Sequence, residues 1–271
     1  MEGARIFFQS LDAAIFLFSR VSDIPPESLI LPVISTNDRL TLGCELWDGT
    51  IIRGQNEISH PSIGSTQPVD KVFPTVNPSV LEQLSKVDCI VYAMGSLFTS
   101  VCPSLVLLGT GEVISSRSCP KVFLLNGSHD RETSGLSASG FITAITDALN
   151  RTYGDPQNCL KNPYWREGEN PRLDLRPSNY QLNYFLMLIP PLMRQDPTGI
   201  PPSQYVNALL VPKDGQIPVD VQSLSKQGIF HVVTVDSILD PRVGIIFNPK
   251  SLIQALADLI AEYNSPHSSE V

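Results

Sequence analysis

The sequence predicts an α/β fold with a doubly wound, mostly parallel, Rossmann-like sheet, a β-hairpin excursion and a Pro-rich insertion. Two apolar runs without polar alternation, residues 89–93 and 121–125, are typical of strands buried on both faces. Residues 105–116 and 137–150 follow these runs with apolar side chains at helical spacing. Because parallel strands need long crossover connections, this alternation of strands and helices predicts parallel pairing.

The first 74 residues are predicted to contain one long helix and several short strands. The helix covers residues 3–21, and its predicted buried stripe consists of Phe7, Leu11, Ala14, Ile15 and Phe18. The predicted strands are residues 29–34, 40–47, 50–54 and 69–73. Asp48-Gly49 between two of them is a strong hairpin signal, so residues 27–74 form a hairpin-containing segment.

A helix is predicted from Asn77 to Lys86, since Asn77 suits the cap position and Pro78 the first helical position. Residues 151–203 break the α/β rhythm and are rich in Pro, so we interpret them as an insertion with an apolar segment at 184–193. The α/β pattern then resumes in strands and helices at residues 205–211, 219–226, 230–235, 243–247 and 248–263. The core face of the last helix is predicted to be Leu252, Ala255, Leu256, Leu259 and Ile260. Residues 1–264 are thus one predicted domain, and residues 265–271 a disordered tail.

Composition restricts the class of partner. The net charge of −8, from 19 basic and 27 acidic residues, argues against nucleic-acid binding, which needs a basic patch. No run reaches the 18 or so apolar residues of a membrane span, so no membrane partner is predicted. Five cysteines without metal spacing, and no visible secretory signal, predict reduced thiols inside the cell, in the cytoplasm or an organelle such as the plastid.

The turn after the first buried run is one candidate ligand site. Gly95 permits backbone angles that are closed to other residues, and Ser96, Thr99 and Ser100 supply hydroxyl and backbone N–H groups. Ligands of open α/β sheets bind at the carboxyl ends of the strands, where such N–H groups suit a phosphate. The alternative is a plain strand-to-helix turn with a serine as its cap.

The loop after the second buried run is expected at the same sheet edge. Asn126 ends that strand and suits the recognition of a sugar or base, while Arg131 suits pairing with a phosphate. Glu132 suits a ligand hydroxyl or a magnesium-bound water. We interpret His129 as a surface residue, and the alternative for the whole loop is a solvated turn. No catalytic residue and no protein-held metal site is assigned.

A family resemblance rests on several stretches in order along the chain: Gly3-Ala4-Arg5-Ile6-Phe7-Phe8, Leu31-Pro32-Val33, Asp48-Gly49-Thr50, Asn77-Pro78, residues 88–100 and Glu132-Thr133. Together they resemble the 2-phospho-L-lactate transferase-like family, and most closely its bacterial branch of nucleotide-sugar-binding gluconeogenesis factors. The resemblance is close over residues 1–150 and loose over residues 204–263. It implies a ligand-binding role for Gly95, Ser96, Leu97, Thr99, Ser100, Glu132 and Thr133, which join Asn126 and Arg131 as the predicted nucleotide- or phosphate-binding residues.

The chain also departs from the family pattern. The family opens with a strand and a Gly-Gly-Gly-Thr-Gly loop, whereas this sequence begins where the family's first long helix begins, so we expect an N-terminally truncated form. Loss of a central strand is expected to expose apolar surface and to lower stability. Ala93-Met94 stands where the family has Gly-Pro. Gly109-Thr110-Gly111 lacks the third glycine of a dinucleotide fingerprint, so we interpret it as a helix break.

Two functions follow from the resemblance, with an inactive truncated remnant as a third reading. The first is transfer of a phospholactate-type group from a nucleotide-activated donor to an alcohol, with Mg²⁺, impaired by loss of the glycine loop. The second is a non-catalytic regulator of carbon metabolism that binds a nucleotide sugar. Both imply a nucleotide or nucleotide-sugar ligand, and because family members often associate, a homo-oligomer is left open.

Overall fold

A computed structural model gives the structure of the protein for residues 2–25, 27–35, 40–45, 51–59, 71–72, 74–150, 183–188 and 199–265. The strands in these ranges are β1 (Leu40–Glu45), β2 (Ile51–Arg53), β3 (Lys71–Val72), β4 (Ile90–Tyr92), β5 (Lys121–Leu124), β6 (Asn183–Leu188), β7 (Ala208–Pro212), β8 (His231–Val235), β9 (Ser237–Asp240) and β10 (Gly244–Phe247). The helices are α1 (Glu2–Phe8), α2 (Leu11–Val21), α3 (Gln55–Ser59), α4 (Pro78–Leu84), α5 (Cys102–Leu105), α6 (Thr110–Ser116), α7 (Ala138–Asn150), α8 (Val221–Lys226) and α9 (Pro249–Tyr263).

A parallel four-stranded sheet in the order β4-β5-β7-β8 forms the centre of the molecule. Side chains of β5 alternate between its two faces. Phe123 packs into the larger apolar cluster with Phe141 of α7, while Val122 packs into a second cluster beside α9. Both faces of the sheet are therefore covered by helices, and the predicted doubly wound α/β fold is confirmed.

A second sheet, in the order β2-β1-β6-β3, contains the predicted hairpin strands. β1 and β2 pair antiparallel with Gly43 opposite Arg53, as predicted, although the Asp48-Gly49 turn lies outside the described residues. β6 comes from within the predicted insertion and pairs parallel with both β1 and β3. The apolar segment of the insertion therefore extends the sheet that the hairpin begins.

The prediction of a single N-terminal helix is wrong. α1 and α2 are separated at Gln9, which has a positive φ of 50°, and Ser10 caps α2 by accepting a hydrogen bond from Ala13 N at 3.2 Å. The predicted buried stripe is also wrong, because Ala14 is buried whereas Phe7 is 81% exposed. The large apolar side chains that α1 and α2 leave exposed are Ile6, Phe7, Phe8, Phe16, Leu17, Phe18 and Val21.

Three further predictions need correction. Residues 29–34 form no strand, since within the described residues only Ile34 pairs, through an isolated bridge to Val76. β4 is not buried on both faces: it is an edge strand that pairs with β5 alone among the described strands, and Val91 is 39% exposed. Within the predicted helix over 105–116, only Leu105, which ends α5, and Thr110–Ser116 of α6 are helical. Gly109 precedes α6 with a φ of 91°, which confirms the interpretation of Gly109-Thr110-Gly111 as a helix break.

The remaining elements agree with the predictions apart from their ends, except that α3 (Gln55–Ser59) was not predicted. Asn77 caps α4 through Ser79 N at 3.0 Å, and Asn248 caps α9 in the same way through Lys250 N at 3.0 Å. Leu259 of α9 is buried, and Leu252, Ala255 and Leu256 pack beside it. β9, which pairs antiparallel with β10, was not predicted because its sequence Ser-Ile-Leu-Asp is too short to show a period. The single-domain boundary stays a prediction, and residues 266–271 of the predicted tail, which begins at Ser265, lie outside the described residues.

Candidate functional site

The turn after β4 begins the candidate site. Gly95 has a φ of 146°, and a Cβ atom at this position would lie 2.8 Å from Cβ of Ser100. A side chain therefore fits neither the backbone conformation nor the space, which explains the glycine. β4 is held in place below the turn, since Tyr92 Oη donates to the carbonyl of Tyr205 at 2.7 Å. Burial raises the pKa of Tyr92 strongly, so this hydroxyl stays a donor.

A single π-helical turn, Leu97–Val101, follows Gly95 and leads into α5. Ser96 O accepts from both Ser100 N and Val101 N, while the Ser96 side chain makes no capping hydrogen bond. A serine-capped turn is therefore the wrong description of this connection. Leu97 is 1% exposed and belongs to the core, so its side chain is structural.

Glu132, in the loop that follows β5, caps the turn that Ser96 leaves without a side-chain cap. One carboxylate oxygen accepts from Phe98 N at 3.1 Å and from Thr99 N at 3.2 Å, and the other accepts from Thr99 Oγ1 at 2.7 Å. A carboxylate on backbone N–H groups is a strong, charge-assisted arrangement. The position that we assigned to a ligand phosphate, at the N–H groups of the first loop, is thus occupied by the protein's own anion.

Two more predicted residues make hydrogen bonds within the protein that fix the conformation of the two loops. Asn126 Nδ2 donates to the carbonyl of Gly95 at 3.1 Å and so joins the ends of β4 and β5. Thr133 is fully buried, and both its N–H and its hydroxyl donate to Oδ1 of Asp130, at 3.0 and 2.7 Å. Asn126 and Thr133 therefore hold the two loops in shape, and Thr133 has no surface for a ligand.

The groups left to face a ligand are polar and few. The Ser96 and Ser100 hydroxyls and the exposed Arg131 make no hydrogen bond or ion pair with the residues that the structure describes. His129, interpreted as a surface residue, is half-buried, and its Nδ1 is buried without a described hydrogen-bond partner. Because a buried ring nitrogen depends on tertiary packing, no sequence signal marks His129.

Asp220 directly precedes α8 and accepts hydrogen bonds from the N-terminus of α7, a contact that the sequence did not reveal. Its carboxylate accepts from Ser139 N at 3.0 Å and, through a short hydrogen bond, from Ser139 Oγ. Burial alone would raise the pKa of Asp220, but the hydrogen bonds from Ser139 outweigh it and hold the pKa below its ordinary value. An ionised carboxylate at the N-terminus of a helix also interacts favourably with the helix dipole.

No cluster of three metal-ligating side chains occurs among the described residues. Both oxygens of Glu132 are committed to the first loop, and Oδ1 of Asp130 is committed to Thr133. Glu132 therefore does not fit the expected binding of a magnesium-bound water, and magnesium stays a prediction. Within the described ranges, no helix has the length and apolar character needed to cross a bilayer.

Comparison with known proteins agrees with this architecture. The family described as 2-phospho-L-lactate transferase CofD matches residues 3–169, which is more than half of the chain. The chain belongs to the CofD family. A gluconeogenesis factor of Halalkalibacterium halodurans is 36% identical over 156 residues, covering 52% of this chain and 47% of that protein. An uncharacterised protein of Saccharomyces cerevisiae is 27% identical over 226 residues, covering 56% and 51%.

This CofD-family chain thus spans about half the length of these two relatives. A crystal structure of a Bacillus halodurans protein superposes with a TM-score of 0.63 at 20% identity, over 94% of this chain and 69% of that one. At that identity the superposition shows the fold alone. The family resemblance drawn from the sequence, including its bacterial gluconeogenesis-factor branch, is confirmed by these matches.

Proposed function

We propose that the chain binds a nucleotide-activated, phosphorylated ligand at the rim between residues 95–101 and residues 126–133. The proposed activity is transfer of a phospholactate-type group from this donor to an alcohol. Membership of the CofD family supports the class of reaction. The single observation that carries the location is the Glu132 carboxylate, which ties the two loops together at the carboxyl edge of the sheet.

The ligand would bind to the hydrogen-bond donors of the rim that have no described partner, which are Arg131 and the hydroxyls of Ser96 and Ser100. Arg131 supplies the positive charge for a phosphate, since a guanidinium pairs with phosphate oxygens through two N–H groups. The Ser96 and Ser100 hydroxyls add neutral donors beside it. The N–H groups of Phe98 and Thr99 take no part because Glu132 already holds them. Catalysis on this rim would rest on positioning and charge neutralisation, with no residue assigned to covalent or acid–base chemistry.

A regulatory role is the second candidate. The bacterial relative is named a gluconeogenesis factor rather than a transferase. Glu132 already accepts the backbone N–H groups of Phe98 and Thr99, so these groups do not cradle a ligand phosphate. A rim that binds a ligand without holding a phosphate for transfer suits the regulatory role. In this alternative the chain binds a nucleotide sugar and acts through a partner, without turnover.

Calorimetric titration with uridine-diphosphate sugars and guanosine nucleotides tests the proposal. The test variant is Gly95→Ala, which forces a shift of Ser100, and its matched control is Gly135→Ala. Gly135 also has a positive φ, of 83°, but nothing lies within 4 Å of a Cβ placed there. We expect saturable binding that Gly95→Ala weakens at least tenfold and Gly135→Ala preserves.

Product analysis with an alcohol acceptor and a nucleoside diphosphate that carries lactate on its terminal phosphate then separates the two candidates, because attack at that phosphorus releases the nucleoside monophosphate. Formation of a phosphodiester product supports the transferase, and tight binding without product supports the regulator. Binding that is equally unaffected by both glycine variants would move the ligand away from this rim.

A further inference from the structure

β8 is the outer strand of the parallel sheet, and one of its edges faces no other strand within the described ranges. The carbonyl of Val235 accepts from Lys213 N at 2.9 Å, so Val235 directs its backbone groups towards β7. Because these directions alternate along a strand, Val232 and Thr234 point their N–H and C=O groups away from the sheet. The free edge ends at Asp236, whose carbonyl accepts from Asn248 N at 2.8 Å.

This edge lacks the usual protection against pairing. Its sequence, His-Val-Val-Thr-Val, contains no proline and no lysine, and consists mainly of residues that favour strands. Phe230, just before the strand, is 79% exposed. An open edge of this kind is a template for a further strand.

A groove of about 570 Å³ runs along the edge between β8 and α9. α9 lies antiparallel to β8, since Asn248 bonds to Asp236 at one end and Glu262 Oε2 lies 3.9 Å from His231 Nε2 at the other. The groove therefore has Lys250 at one end and Glu262 at the opposite end. Between these ends, Gln254 Nε2 donates to Asp258 Oδ1 at 2.8 Å.

We propose that this edge pairs antiparallel with the same edge of a second copy of the chain, about a two-fold axis through Val233. Val232 of one copy then lies opposite Thr234 of the other, and each such pair exchanges both of its backbone hydrogen bonds. Val233 faces Val233 of the second copy on the axis. Such an interface is self-complementary, as a closed dimer requires.

The charges of the groove select this occupant and this direction. The two-fold axis brings the end of each groove that carries Lys250 and Asp236 against the end of the other that carries Glu262 and His231, so Lys250 approaches Glu262 and Asp236 approaches His231. It also sets Gln254 near Asp258 of the second copy. A parallel arrangement needs a two-fold axis along the strands, which would set the two α9 helices on opposite faces of the joined sheet, so that neither groove would gain a partner of opposite charge.

Sedimentation analysis of the chain over a concentration series tests the proposal. We expect a monomer–dimer equilibrium that Thr234→Pro weakens at least tenfold, because proline removes an outward N–H without touching the pairing to β7. Thr234→Val keeps the N–H and is expected to keep the dimer. A monomer at all concentrations would overturn the proposal. A dimer that Thr234→Pro leaves intact would also overturn it. That second result would place association on another surface, such as the exposed apolar face of α1 and α2.

Two further measurements report the geometry itself. Lys250→Glu and Glu262→Lys are each expected to weaken the dimer, while the double variant restores it, since the charges are exchanged between copies. Val233→Cys is expected to form a disulfide-linked dimer on oxidation, beyond the parent chain's background. Thr234→Cys is the matched control and should not, because Thr234 faces Val232. Failure of the double variant to restore association, or equal cross-linking by both cysteines, would refute the two-fold arrangement.

Discussion

Removal of the Glu132 carboxylate is the perturbation with the clearest expected consequence. Glu132→Ala leaves three donors, Phe98 N, Thr99 N and Thr99 Oγ1, without their acceptor. Hydrogen bonds to a charged group are worth about 1.5–3 kcal/mol each. Because the three share one acceptor and are only part-buried, their energies do not add fully. We expect a loss of about 2–4 kcal/mol in the free energy of unfolding, a large share of a typical domain's stability.

Urea unfolding of Glu132→Ala against the parent chain measures this loss. Glu112→Ala is the matched control, since Glu112 is exposed on α6 and is expected to change stability by about 0.5 kcal/mol or less. Formate should restore part of the loss in Glu132→Ala alone by occupying the vacated N–H groups. At ten times its dissociation constant it returns about 1.4 kcal/mol. Equal stability of the two alanine variants, or equal stabilisation of both by formate, would refute the role given to Glu132.

Two other predictions concern the frame of the site. In Gly111→Ala the new Cβ would lie 2.3 Å from the carbonyl oxygen of Leu149, so α6 and α7 must separate. Thermal unfolding should show a loss of about 1–3 kcal/mol in the free energy of unfolding. Gly3→Ala is the control and should be neutral or stabilising, since nothing lies within 4 Å of a Cβ placed there. Asp220 has a lowered pKa in the folded state, so the unfolded state binds more protons near its ordinary value of 3.8. Stability from Asp220 is therefore present above that pH and lost as the pH falls through the folded pKa. Unfolding curves at pH 2–5 should converge for parent and Asp220→Asn as the pH falls below 3.8, and curves that stay parallel below that pH would contradict this assignment.

The fold was predictable wherever a local signal decided the structure. Asn77 and Asn248 cap helices that the sequence marks with an Asn-Pro pair, and the buried run of β5 is apolar on both faces. The prediction failed where tertiary partners decide. The run of β4 resembles that of β5, yet β4 lies at an edge, and no local pattern distinguishes the two.

The contact between the two candidate loops was predictable from the sequence, whereas ligand binding there stays a prediction. Thr99 and Glu132 do meet at the carboxyl edge, because parallel strands end there. Their relation was reversed: Glu132 fills the anion position instead of facing a ligand. Asp220 was missed because its partner Ser139 is 81 residues away in the sequence, and no spacing rule reports such a contact.

The central claim is that a phosphorylated nucleotide ligand binds the rim through Arg131, and calorimetric titration of two arginine variants tests it most directly. Arg131→Ala removes the free cation of the rim, while Arg242→Ala removes another exposed cation, from the turn between β9 and β10. The account predicts saturable binding of a uridine-diphosphate sugar or guanosine nucleotide, weakened at least tenfold by Arg131→Ala and unchanged by Arg242→Ala. No binding by the folded parent chain, or equal binding by both variants, would contradict it.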